Sequence, residues 1–163
     1  MKDFLIFLPL TIVYLAFKGA LFPVIPLPDI PLIIVFYAAY TKPSYEGALL
    51  GFVLGVVEDS LSAGILGTTS FSLVMVFLAV HLLSMKMHFT TPLIKAVAAG
   101  SLTILKGALI YTVLSFTNFA SAFPLRVVLQ AFVTGALAPA VITLIARLLS
   151  LVNRNTFKDS NIS

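Results

Sequence analysis

Apolar residues fall into six runs along the chain, divided by short breaks rich in proline, glycine and charge. The first runs from Phe4 to Phe22, near the 20 residues a spanning helix needs. It stops at Pro23-Val24-Ile25-Pro26-Leu27-Pro28-Asp29, where three prolines break any helix and force an extended link. The second, Ile30 to Tyr40, is short for a full crossing, and Thr41-Lys42-Pro43-Ser44 closes it as a turn. The third begins near Tyr45, carries through Val57 and closes in Glu58-Asp59-Ser60. The glycine-containing link Leu61 to Gly67 leads to a fourth run, about Thr68 to Leu83. Ser84 to Thr91 is polar, and Pro92 suits the first turn of the next helix. The fifth run covers about Leu93 to Phe116. After the polar turn Thr117 to Ser121, the sixth extends from Pro124 to about Val152. The pattern predicts an all-α integral membrane protein, a six-helix transmembrane bundle with a short second helix. One transmembrane domain covers residues 1–152, and 153–163 form a polar cytoplasmic tail, expected to fray.

Composition supports the lipid reading. Of 163 residues, 60% are hydrophobic and only 10% charged, and the mean hydropathy is +1.12. A soluble domain carries charge on about a quarter of its residues. The amino-terminal run continues to Phe22 without a clean small-x-small cleavage site, which suits a retained helix better than a signal peptide. Basic residues are scattered between apolar runs, so the net charge of +4 reports orientation rather than nucleic-acid binding. With the amino terminus inside and six crossings, Lys2, Lys42, Lys86, Lys95, Arg147, Arg154 and Lys158 lie on the cytoplasmic side. The outer links keep only Arg126, beside Asp29, Glu58 and Asp59. Both termini are therefore expected in the cytoplasm.

Two features carry candidate function. Gly47, Gly51 and Gly55 fall four apart and share one face of the third helix. Small residues let helices approach closely in lipid, so the stripe is either internal packing or a partner's interface. The second feature is a set of charges. Lys18, Asp59 and Lys106 each sit about 20 Å up from the cytoplasmic side. Intramembrane charges are costly and usually pair or face a wet cavity. Lys18 and Lys106 are expected to converge on Asp59, Glu58 or both, with Asp59 the partner of Lys106. The alternative is that both lysines snorkel to the outer headgroups.

Catalytic signatures are missing, and the expected answer is no enzyme, no metal and no cofactor. Cysteine is absent, which removes thiol chemistry and cysteine metal sites. His81 and His88 are seven apart with no acid beside either, a poor ligand spacing. Thr103 and Lys106, three apart, only loosely mimic a hydroxyl–lysine dyad.

The segment Pro28-Asp29-Ile30-Pro31-Leu32-Ile33-Ile34-Val35 after a proline-broken link is one part of a family likeness. A second is Glu46-Gly47-Ala48-Leu49-Leu50-Gly51-Phe52-Val53-Leu54-Gly55-Val56-Val57-Glu58-Asp59-Ser60. The run Leu61-Ser62-Ala63-Gly64-Ile65-Leu66-Gly67 completes it. In these parts, and in length and helix number, the chain resembles the rod shape-determining MreD family of bacteria. That family's pattern is a glycine-rich helix ending in an acid, then a small-residue link closing in glycine. Either Glu58 or Asp59 could be the family's acid, with Asp59 favoured. The resemblance implies a multi-pass protein of the bacterial plasma (inner) membrane. It implies a non-catalytic scaffold of the cell-wall elongation machinery that binds MreC, with MreB and the synthase of RodA and a penicillin-binding protein nearby. It also implies a bundle like the substrate-binding subunits of energy-coupling-factor transporters. Such a subunit is the alternative function, and Ala16 and Ala20 on the first helix resemble its coupling motif.

Overall fold

Helix is the only regular structure among the described residues of the computed structural model, which are 9, 11–17, 27–41, 45–61, 65–86, 91–116 and 124–159. Residues 11–17 belong to a first helix, α1. Then come α2 (Ile30–Thr41), α3 (Tyr45–Leu61), α4 (Thr68–Ser84), α5 (Pro92–Phe116) and α6 (Pro124–Asp159). The breaks read from proline and glycine thus fall before α2 and between α2 and α3, α3 and α4, and α4 and α5. Two ends differ from expectation. Helix α3 runs on through Glu58-Asp59-Ser60 to Leu61, because both acids find partners inside the protein and the Ser60 hydroxyl donates to the Val56 carbonyl. Helix α6 continues to Asp159, so the tail expected to fray from Asn153 keeps its helical backbone for seven more residues.

The short second helix is the centre of the molecule. Leu32, Ile33, Ile34, Val35 and Phe36 are five consecutive residues with no exposed surface. Consecutive residues point all round a helix, so α2 is covered on every side, as a helix apolar all round should be. It packs against α3, α4, α5 and α6. Its 12 residues rise only about 18 Å, well short of a bilayer's apolar core. Protein packed around it stands in for the missing length.

Two antiparallel pairs flank it. Helix α3 lies along α4, with Gly55 at Ser70, Gly51 at Leu73 and Gly47 at Phe77. Helix α5 lies along α6, with Gly100 at Ala131 and Gly135, and Gly107 at Val127. The outward faces are apolar: Leu49, Phe52 and Val56 on α3, Phe71 and Leu82 on α4, Val97 and Ile104 on α5, Phe132 and Leu144 on α6 are all exposed. Hydroxyls on those faces turn back onto their own helices. Thr112, Ser115 and Thr143 donate to the carbonyls of Ala108, Tyr111 and Pro139, which removes an unsatisfied donor from an apolar surface. Pro92–Phe116 and Val127–Ser150 are long and apolar enough to cross a membrane.

Candidate functional site: a buried charge cluster

The charge cluster forms where the start of α2, the end of α3 and the middle of α5 meet. Asp29 precedes α2 as its N-cap. Its Oδ1 accepts the Leu32 N–H at 3.2 Å, satisfying a donor that the helix start leaves orphaned. Its own N–H donates to the Thr134 hydroxyl oxygen of α6 at 3.0 Å. The other carboxylate oxygen, Oδ2, lies 2.7 Å from the Lys106 ammonium of α5. The same ammonium lies 2.8 Å from Glu58 Oε2 of α3. Asp29 and Lys106 are 1% and 4% exposed, and Glu58 is buried with them. One lysine therefore bridges two carboxylates on different elements, and the backbone of one of those acids is held by a fourth helix. The Tyr14 hydroxyl of α1 donates to the Pro28 carbonyl just before Asp29, tying a fifth helix to the same place.

Asp59 does not pair with Lys106. The expectation that it would is corrected by its position about 100° around the helix from Glu58, which turns it toward α4. There its carboxylate accepts the N–H of Gly67 at 2.8 Å and that of Thr69 at 3.1 and 3.2 Å. These are first-turn donors of α4, and a negative charge is favoured at a helix start. Gly67 sits at φ +96, in the left-handed region where glycine carries no side-chain penalty. The motif that ends a glycine helix in an acid and closes its link in glycine thus has a local purpose. The acid caps the next helix and the glycine lets the backbone turn onto it.

The glycine stripe lies inside the molecule, between α3 and α4. A Cβ on Gly55 would collide with the backbone N and Cα of Ser70, and one on Gly47 would come within 2.5 Å of the Phe77 ring. At Gly51 the nearest atom is Val35 Cγ2, 3.4 Å away, with the Leu73 backbone at 3.7 Å. A second close approach was not singled out in the sequence. At Gly135 a Cβ would lie 3.0 Å from the Ala96 carbonyl, and at Gly107 one would lie 2.5 Å from Val127. Gly100 and Gly107 are seven apart, a spacing that marks one helix face and could have flagged α5.

The remaining candidates stand apart from the cluster. Lys18, Ala20 and His88 lie outside the described residues. Ala16 is on the exposed side of α1. The His81 ring stacks on Phe77 with centroids 6.4 Å apart. The Thr103 hydroxyl donates to the Ala99 carbonyl at 2.9 Å, while Lys106 donates to the two acids, so this pair forms no dyad. Asp29 and Thr134 are the cluster members that sequence reasoning missed. Asp29 carried a usable signal, an aspartate directly before a helical run with proline in its first turn. Thr134 carried none.

The searches of curated proteins and of solved structures found no significant match. The family comparison matches residues 3–148 to the rod shape-determining protein MreD, a span that takes in α2 to α5, most of α6 and all four residues of the charge cluster. The chain therefore belongs to the MreD family of bacterial rod shape-determining membrane proteins.

Proposed function

We propose that this protein is a non-catalytic scaffold subunit of the cell-wall elongation machinery, and that it binds MreC in the inner membrane. MreB and the synthase of RodA and a penicillin-binding protein are the expected neighbours. The observation that carries this reading is how the buried charges are used. Lys106 is engaged by Asp29 and Glu58, and the Asp59 carboxylate is engaged by the start of α4. These groups are committed to joining helices, which is what a scaffold requires of them. A transporter's substrate-binding subunit would instead turn polar groups toward a ligand. Lys18 belongs to the same proposal as a second positive charge for the acid pair. Six crossings with both termini in the cytoplasm complete it, supported by the excess of basic residues on that side.

The test is co-purification. The tagged full chain, extracted in mild detergent, is expected to bring down a single-pass MreC. Recovery of the folded chain with a tightly held vitamin and no MreC would reject the scaffold reading in favour of the transporter subunit.

A further inference from the structure

The bundle is thinner on one side than on the other, and the ion pairs fix by how much. On the outer side, Glu58 meets Lys106. From there α3 has three residues left, to Leu61, whereas α5 has ten, to Phe116. Helix α4 begins at the same level as the end of α3, because Asp59 holds the N–H groups of Gly67 and Thr69. Helix α5 thus outruns the α3–α4 pair by seven residues, about 10 Å. At the other end, Lys95 in the first turn of α5 stands over the Tyr40 ring, 5.7 Å from its centroid, so α2 and α5 finish together there.

The exposed faces differ in the same sense. On α3 the outward residues are Glu46, Leu49, Phe52, Val56 and Leu61. From the exposed Glu46 carboxylate to the helix end is 15 residues, about 22 Å. On α5, Leu93, Val97, Ile104 and Phe116 are exposed, and Lys106 points inward, so no charge interrupts the face from Lys95 to Phe116. That is 21 residues, about 32 Å. A bilayer's hydrocarbon core is about 30 Å thick. The α5 face matches it and the α3 face falls short by about 8 Å, while on α4 no charge interrupts the span from Thr68 to the exposed Lys86, 18 residues or about 27 Å.

We infer that the α3 face is an interaction surface for thinned bilayer, selecting lipids with shorter acyl chains. A short apolar face is accommodated by thinning the lipid beside it. Tilting accommodates a stretch that is too long and would only shorten the span of this one further. This inference needs only that the chain is a membrane protein, and stands whether or not it binds MreC.

The chain contains no tryptophan, so a single introduced one reports its own surroundings. F52W on α3 and I104W on α5 replace exposed mid-helix residues. Each full-length variant is reconstituted in phosphatidylcholine vesicles with brominated acyl chains, which quench the indole. Competing unbrominated lipids with 14-carbon or 22-carbon chains then restore fluorescence according to their local enrichment. At position 52 the 14-carbon lipid is expected to restore it about twofold more effectively, with no such preference at position 104. Equal behaviour at the two positions would overturn the inference. So would an indole at position 52 that no lipid quenches, since a second copy or a partner's helix would then cover the face. L49W on α3 repeats the measurement if F52W fails to accumulate. Depth is checked with L61W and F116W, which should both be quenched best by bromines near the headgroups. A deep position for L61W would show ordinary bilayer burying the end of α3.

Discussion

Lys106 shows how much depends on single atoms in this protein. Its ammonium has two carboxylate partners within 2.8 Å, and all three residues are buried. Removing one side of a buried pair strands the other charge, at a cost of about 3–5 kcal/mol. Lys106→Met is therefore expected to lower the stability of the detergent-solubilised protein sharply. Adding Glu58→Gln should recover part of the loss. The cycle between Glu58 and Lys106 should give a coupling energy of about 1–3 kcal/mol in denaturation measurements, while Asp59→Asn with Lys106→Met should be additive. Coupling at Asp59 instead of Glu58 would contradict the observed pairing. Asp59 offers a second contrast at the same scale. Asparagine caps helices nearly as well as aspartate, so Asp59→Asn should be mild. Asp59→Ala leaves the Gly67 and Thr69 N–H groups unpaired in a buried place, and should lower the melting temperature markedly more.

Between elements, the decisive quantity is backbone separation. The three glycines of α3 are equivalent in sequence but not in space. Gly55 faces backbone, which cannot move aside; Gly47 faces a phenyl ring, which can rotate; Gly51 faces a valine methyl at contact distance. Gly55→Ala should therefore reduce accumulation in the membrane severely, by pushing α3 off α4. Gly51→Ala should be tolerated, and Gly51→Leu should not, because the larger side chain reaches Val35 and Leu73. Immunoblots of membrane fractions from cells carrying each variant would rank them. An order that placed Gly51→Ala below Gly55→Ala would mean that α3 and α4 are not packed through this seam. The same reasoning makes Gly135→Ala worse than Gly100→Ala on the α5–α6 seam, where the nearest carbonyls would lie at 3.0 and 3.4 Å.

For the whole molecule, the question is how helices of 12, 17, 25 and 36 residues share one membrane. The buried α2 joins the α3–α4 pair to the α5–α6 pair, and the charge cluster clamps its amino-terminal end to both. Reporter fusions placed after Lys42, after Lys86 and at the tail are expected to read cytoplasmic, and one at Asn118 extracytoplasmic. An extracytoplasmic tail would remove the six-crossing arrangement and with it the basic-residue argument for orientation.

Much of this was determined by the chain alone. Proline before Asp29, Lys42-Pro43, the glycine link to Gly67 and Pro92 mark the helix ends, because those residues either cannot continue a helix or are suited to starting one. Apolar excess made membrane burial the only way to cover the surface, and the acid-to-glycine motif pointed to the family. Which charge meets which could not be read there. Glu58 and Asp59 are neighbours in sequence, yet one turns to α5 and the other to α4. Asp29 looks like part of a solvent link, yet it is buried 2.7 Å from a lysine 77 residues away. Depth along a helix can be counted from sequence. The direction a side chain faces depends on how helices rotate against their neighbours, and contacts among residues distant in the chain settle that rotation.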